Sequence, residues 1–263
     1  MKTVTVTIWL LSCIWTVAQA APPRAVDIPT RAGVTERILY IAPDRPKAAA
    51  ILFAGGDGSF AVSPEGEVLR QKGNFLVRTR QLFVEQGITV ALLPAPSDRR
   101  DLIAFRNTPK HVEDVRAVIA WLRREAGVPV WLIGTSRGTQ SAGYIATQLP
   151  PSAGGADGLV LTSSVLRDHR NLQEPPVPAM ALERIGVPVL VVHHRDDGCV
   201  VCPFGEAERL VGKFTAAPRK ALIAIEGGVS EGNPCEAFAH HGYNGVERET
   251  VARIAAWIAG EAR

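Results

Sequence analysis

The chain has 263 residues, 46% of them hydrophobic and 21% charged, with a formal net charge of +3 at pH 7. This composition supplies a full apolar core and excludes a disordered or fibrous chain. Basic and acidic residues are interspersed along the sequence, which argues against a nucleic-acid-binding face.

At the N-terminus Lys2 precedes an apolar, uncharged run over 4–17, and Ala18-Gln19-Ala20 then supplies the small-x-small pattern of a secretory cleavage site. A cleaved signal peptide over 1–20 is expected, leaving one domain over 21–263 that is secreted or periplasmic. The rival readings are an uncleaved anchor and a lipoprotein signal at Cys13. The run is short for a span, and apolar Ile14 and Trp15 continue past that cysteine. No later stretch reaches the roughly 20 uninterrupted apolar residues of a membrane helix, so no membrane contact is expected after cleavage.

Apolar, β-branched runs then alternate with segments of helical periodicity, the pattern of strands joined by crossover helices into a mostly parallel sheet. Strands are predicted over 37–41, 49–53, 89–93, 130–133, 158–162, 187–193 and 221–225. Helices are predicted over 75–86, 112–125, 139–148, 205–211 and 246–259. The proline-rich stretch after the fifth of these strands reads as a loop, so no sizeable cap domain is expected there.

Ligands of an open parallel sheet gather at the carboxyl ends of its strands. The polar residues that follow the apolar runs are Gly55 to Gly58, Ser97-Asp98, Ser136, Ser163-Ser164 with His169, Asp196-Asp197 and, after the last strand, His240-His241. In "WLIGTSRGTQ" a serine stands between Gly134 and Gly138 at a strand-to-helix junction. The glycines remove side chains where strand and helix approach closely, and Ser136 is lifted clear of the sheet edge. A helix-capping serine is the plainer reading, but capping does not need both glycines.

With "GTSRG", "HHRDDGCV" and "HHGYNGVE" in this order, the chain resembles the α/β-hydrolase family over nearly all of residues 21–263. The resemblance implies an α/β fold with an eight-stranded, mostly parallel sheet, helices on both faces and a further first strand within 25–33. It implies Ser136 as nucleophile, with acid and base after later strands. Asp196 and Asp197 compete for the acid, and the family's glycine-x-x-aspartate spacing favours Asp197. His240 and His241 compete for the base, and the Gly242-Tyr243 that follows favours His241. The oxyanion donors implied are the backbone amides of Arg137 and of the Gly55 to Gly58 loop, where Asp57 is preferred and Gly56 is next. This loop lacks the histidine that opens the His-Gly-Gly-Gly motif of lipases.

His169, Arg99, Arg100, Arg78 and Arg137 are candidates for contact with substrate, the arginines for an acidic group. A disulfide is expected between Cys199, two residues past the proposed acid, and Cys235, six before the proposed base. Cys202 competes for either partner, and a zinc site near His240 is a weaker alternative, because thiolates seldom stay reduced after export. The expected activity is hydrolysis of a small-molecule ester without cofactor or metal. Exopeptidase or thioesterase activity on the same triad, or a ligand-binding member without catalysis, are the alternatives.

Overall fold

The computed structural model describes residues 22–170 and 172–261; the predicted signal peptide lies outside them. The strands are β1 (Arg24–Pro29), β2 (Thr35–Ile41), β3 (Ala48–Phe53), β4 (Ile88–Leu93), β5 (Val130–Thr135), β6 (Gly158–Thr162), β7 (Val189–His194) and β8 (Lys220–Ile225). They form one eight-stranded sheet in the order β1-β2-β4-β3-β5-β6-β7-β8. β2 is antiparallel to β1 and β4, and every pairing from β4 to β8 is parallel. This is the mostly parallel α/β-hydrolase sheet that the resemblance implies.

Alternation along the strands divides the core into two layers. In β3, Ala49, Ile51 and Phe53 pack with α3 (Pro109–Ala126), α4 (Gly138–Gln148) and α5 (Ala207–Lys213). Ala48, Ala50 and Leu52 face α1 (Phe75–Arg78), α2 (Arg80–Glu85) and α6 (Glu247–Ile258) on the other side. Residues from β4 and β7 divide in the same way, so the central strands are apolar on both faces.

Three predicted boundaries move for identifiable reasons. The helix expected over 75–86 is two pieces, because Thr79 donates its hydroxyl to the Phe75 carbonyl at 2.6 Å and leaves helical geometry at ψ 0°. α3 starts earlier than predicted: Thr108 accepts the His111 N–H at its N-cap and Pro109 fills the first turn. β7 begins only at Val189, past Pro188, which has no N–H for the ladder. Between β6 and β7 the described residues form only two short 3-10 turns, Val177–Ala179 and Leu182–Arg184, so no cap domain is inserted there. No helix among the described residues is long and apolar enough to cross a membrane.

The junction of β5 and α4 is tightly packed at the carboxyl edge. A Cβ at Gly134 would lie 2.5 Å from the Gly138 carbonyl oxygen, and one at Gly138 would lie 2.0 Å from the Phe53 carbonyl oxygen. Gly138→Ala is therefore expected to destabilise the fold by at least ~2 kcal/mol in urea unfolding, since buried backbone must move. A loss below ~0.5 kcal/mol would show that α4 shifts freely.

Candidate active site

Ser136 follows β5 and is held at φ +51°, a left-handed conformation costly to a residue with a side chain. Its N–H donates to the Thr162 carbonyl at 3.0 Å, and its carbonyl accepts the Thr139 hydroxyl at 2.6 Å. Strand β6 and helix α4 thus grip the turn from both sides. The side chain enters a cavity of about 630 Å³ that is also lined by Gly56, Asp57, Arg137, Phe75 and His241.

His241 Nδ1 lies 2.9 Å from Asp197 Oδ2. A carboxylate only accepts, so Nδ1 carries a proton, and in the neutral ring Nε2 keeps its lone pair. That Nε2 is buried without a hydrogen-bond partner among the described residues, in the cavity Ser136 lines. Asp197 Oδ1 accepts the Cys199 N–H at 2.9 Å. Asp196 is exposed, and its N–H donates to His194 Nδ1 at 3.0 Å. His240 stacks on His194 with ring centroids 4.3 Å apart, away from the Asp197 carboxylate.

A second imidazole reaches the same acid. His193, fully buried, donates from Nε2 to the Cys202 carbonyl at 2.8 Å and lies 3.5 Å from Asp197 Oδ2. Burial alone would raise the Asp197 pKa, but the adjacent His193 ring and the hydrogen bond from His241 outweigh it and hold the carboxyl at about 2.

The backbone around His241 is braced from three directions. Its carbonyl accepts the Ser163 hydroxyl at 2.7 Å. Tyr243, fully buried, donates its hydroxyl to the Val192 carbonyl at 2.9 Å and accepts the Ser163 N–H at 3.0 Å. The Cys199–Cys235 disulfide joins the acid loop to the histidine loop, with Cα atoms 4.5 Å apart, and Cys202 remains a buried free thiol.

The amide of Arg137 stands at the N-cap of α4, where a helix leaves its N–H groups without intrahelical acceptors. The opposing loop is set by Arg106, a fully buried guanidinium that donates to the carbonyls of Gly56 at 3.1 Å and Ala54 at 3.4 Å and to the Ser141 hydroxyl at 3.0 Å. A trans peptide points its C=O and N–H in opposite directions, so holding the Gly56 carbonyl turns the Asp57 N–H away from Arg106. A Cβ on Gly55 would lie 3.0 Å from Ser136 Cβ, which is why the loop approaches the serine only through glycine.

The structure does not bring every candidate together. Arg78 is occupied by the carbonyl of Gly242 at 2.6 Å and by Glu247 at 2.9 Å, so it braces the histidine loop and does not line the cavity. The Arg137 guanidinium is paired with the buried Glu174 at 2.8 Å, leaving its backbone to face the cavity. Arg99 and Arg100 line a different groove, and His169 is not among the cavity-lining residues. Arg106 and His193 went unmarked as site residues, because an isolated arginine reads as a solvated surface charge and a strand-end histidine as packing.

Among the described residues, two clusters have donor atoms close enough for a metal ion: Cys199, Cys202 and His241, and His194, Asp196 and His240. The Cys199 sulfur is already spent in the disulfide. Both ring nitrogens of His194 are engaged, Nε2 with the Gly227 carbonyl at 2.8 Å and Nδ1 with the Asp196 N–H. Neither cluster offers three free donors.

No protein-family model and no curated protein matches the sequence. Among solved structures, an α/β serine hydrolase homologue from Coxiella burnetii aligns over 88% of this chain and 96% of its own, at TM-score 0.59 and 16% identity. An α/β serine hydrolase without a lid from Xanthomonas campestris aligns over 88% of this chain and 94% of its own, at TM-score 0.54 and 17% identity. A cold-adapted esterase from an Arctic intertidal metagenomic library aligns over 98% of this chain and 100% of its own, at TM-score 0.58 and 16% identity. At these identities the likeness is one of fold.

Two outcomes are expected. The folded pKa of Asp197 lies below its ordinary 3.8, so its carboxylate stabilises the fold fully above that value and the contribution is lost as pH falls through about 2. In denaturant unfolding, the gap between the native protein and Asp197→Asn should shrink by ~2 kcal/mol from pH 6 to pH 2; a pH-independent gap contradicts this. Arg106→Met should accelerate hydrogen exchange at the amides of residues 55–58, and unchanged exchange would remove Arg106 as the clamp of that loop.

Proposed function

We propose that this chain, an α/β-hydrolase by fold, is a serine hydrolase that cleaves a carboxylic ester through an acyl-enzyme on Ser136. The observation that carries the reading is the hydrogen bond from His241 Nδ1 to Asp197 in the cavity that Ser136 also lines. His241 Nε2 takes the serine proton as Oγ attacks the ester carbonyl, and Asp197 fixes the tautomer and steadies the imidazolium. The tetrahedral oxyanion is received by the N–H groups of Arg137 and Asp57, with Gly56 next to them. Collapse expels the alcohol, which takes the proton from His241. Water then repeats the sequence to release the acid and restore Ser136.

No cofactor has a step in this mechanism. The disulfide supports an oxidising compartment, and export under a signal peptide over 1–20 belongs to the same proposal. The absence of an inserted cap between β6 and β7 favours soluble small-molecule esters over emulsions, and the alcohol and acyl parts are set by the loops around the cavity.

The test is labelling with a fluorophosphonate, expected at Ser136 in folded, disulfide-intact protein and abolished in Ser136→Ala. Asp197→Asn should lower kcat by ~10⁴ with the fold retained, whereas Asp196→Asn should have little effect. No labelling, or the reverse order of the two aspartates, overturns the assignment.

A further inference from the structure

A second cavity, of about 480 Å³, is lined by Arg37, Arg70, Arg99 and Arg100 over an apolar floor that includes Phe60 and Pro94. None of its lining residues is acidic. Two of the four guanidinium groups are fixed in place. Arg37 gives Nε and Nη2 to Asp27 at 2.7 Å each. Arg99 gives Nε to the Asp101 carbonyl at 3.2 Å and Nη2 to the Ile103 carbonyl at 3.0 Å, and lies 4.6 Å from the Phe105 ring centre. Each keeps Nη1 without an acceptor among the described residues.

Arg70 and Arg100 are exposed and have no ion pair or hydrogen bond from the side chain among the described residues. The nearby Glu65 does not line the groove and acts on Arg37 only through space. Asp27 compensates the charge of Arg37, so the positive potential of the groove comes from Arg70, Arg99 and Arg100, and guanidinium forks match the geometry of an oxyanion.

The groove and the catalytic cavity share no lining residue, but residues adjacent in the chain line the two. Gln71 donates to Asp57 and, at 3.2 Å, to the Ser59 hydroxyl. Asp57 and Gln71 line the catalytic cavity, whereas Phe60 and Arg70, the chain neighbours of Ser59 and Gln71, line the groove. A ligand crossing this cluster would leave the region of Ser136 and reach the arginines.

We infer that the arginine groove binds the oxyanion at the far end of the substrate, so that Ser136 acts on esters bearing a carboxylate or phosphate several bonds from the scissile carbonyl. The inference rests on the hydrolase reading of Ser136. Ala61 and Ala95, half-buried in the groove lining, pack against the apolar spacer, and Arg70 and Arg100 close on the anion while Arg37 and Arg99 present their free Nη1 groups.

The test compares aryl esters of graded chain length carrying a terminal carboxylate, a terminal phosphonate or a neutral methyl ester. Native protein should prefer the anionic esters, chiefly through KM, and the preference should weaken in 1 M NaCl. In the Arg70→Ala/Arg100→Ala double variant the ratio of kcat/KM, anionic over neutral, should fall about tenfold. The relative losses of carboxylate and phosphonate identify the headgroup. Equal rates on charged and neutral esters, or a ratio unmoved by the double variant, overturn the inference and leave the hydrolase reading standing.

Calorimetric titration of Ser136→Ala with a free dicarboxylate and with an alkyl phosphonate separates the other case. Binding that weakens about tenfold on loss of the two arginines sustains the groove even if no ester is cleaved, in which event only the hydrolase reading fails.

Discussion

The approach of the α4 N-terminus to β3 governs the carboxyl edge of the sheet. No side chain fits at Gly138, where a Cβ would stand 2.0 Å from a β3 carbonyl, and none fits at Gly134 against the first turn of the helix. The chain therefore reverses within a few residues, and Ser136 sits in a left-handed conformation that an unstrained loop would not adopt. Neighbouring strand and helix bonds supply the compensation. A serine carried there is fixed in direction and faces an open cavity.

Around that fixed point the other groups are held by backbone contacts more than by their own side chains. The acid loop and the histidine loop are joined by a disulfide, and the His241 carbonyl is tied to Ser163 at the end of β6. Arg106 acts in the same way on the opposite wall, because a buried guanidinium that occupies the Gly56 carbonyl decides where the next N–H points. Preorganisation of this kind is what lets amides oppose a developing negative charge without reorganising. The two imidazoles beside Asp197 keep it ionised despite burial.

Most of the architecture was legible in the sequence because parallel strands buried on both faces read as continuous apolar runs, as in β5 and β7. β1 was less so: of its residues only Ile28 is buried, and the exposed Asp27 interrupts its apolar run. The strand-to-helix turn at Ser136 was legible because two glycines at fixed spacing have a steric cause. The adjacent pairs Asp196-Asp197 and His240-His241 were not separable by residue type, since adjacent positions differ only in direction, which the turn decides. Arg78 and Arg137 looked like free cations in the sequence, and their acceptors come from distant segments, Glu247 and Glu174. Arg106 was hidden for the same reason, as its partners at Gly56 and Ser141 meet it only after folding.

The central claim is that Ser136 becomes covalently acylated at the point where these constraints meet. Acid-quenched mass spectrometry during turnover of a slowly deacylated ester measures this directly. The account predicts a single acyl group on the peptide containing Ser136, absent from Ser136→Ala. Undiminished turnover in Ser136→Ala, or an acyl group mapped to another residue, would contradict it.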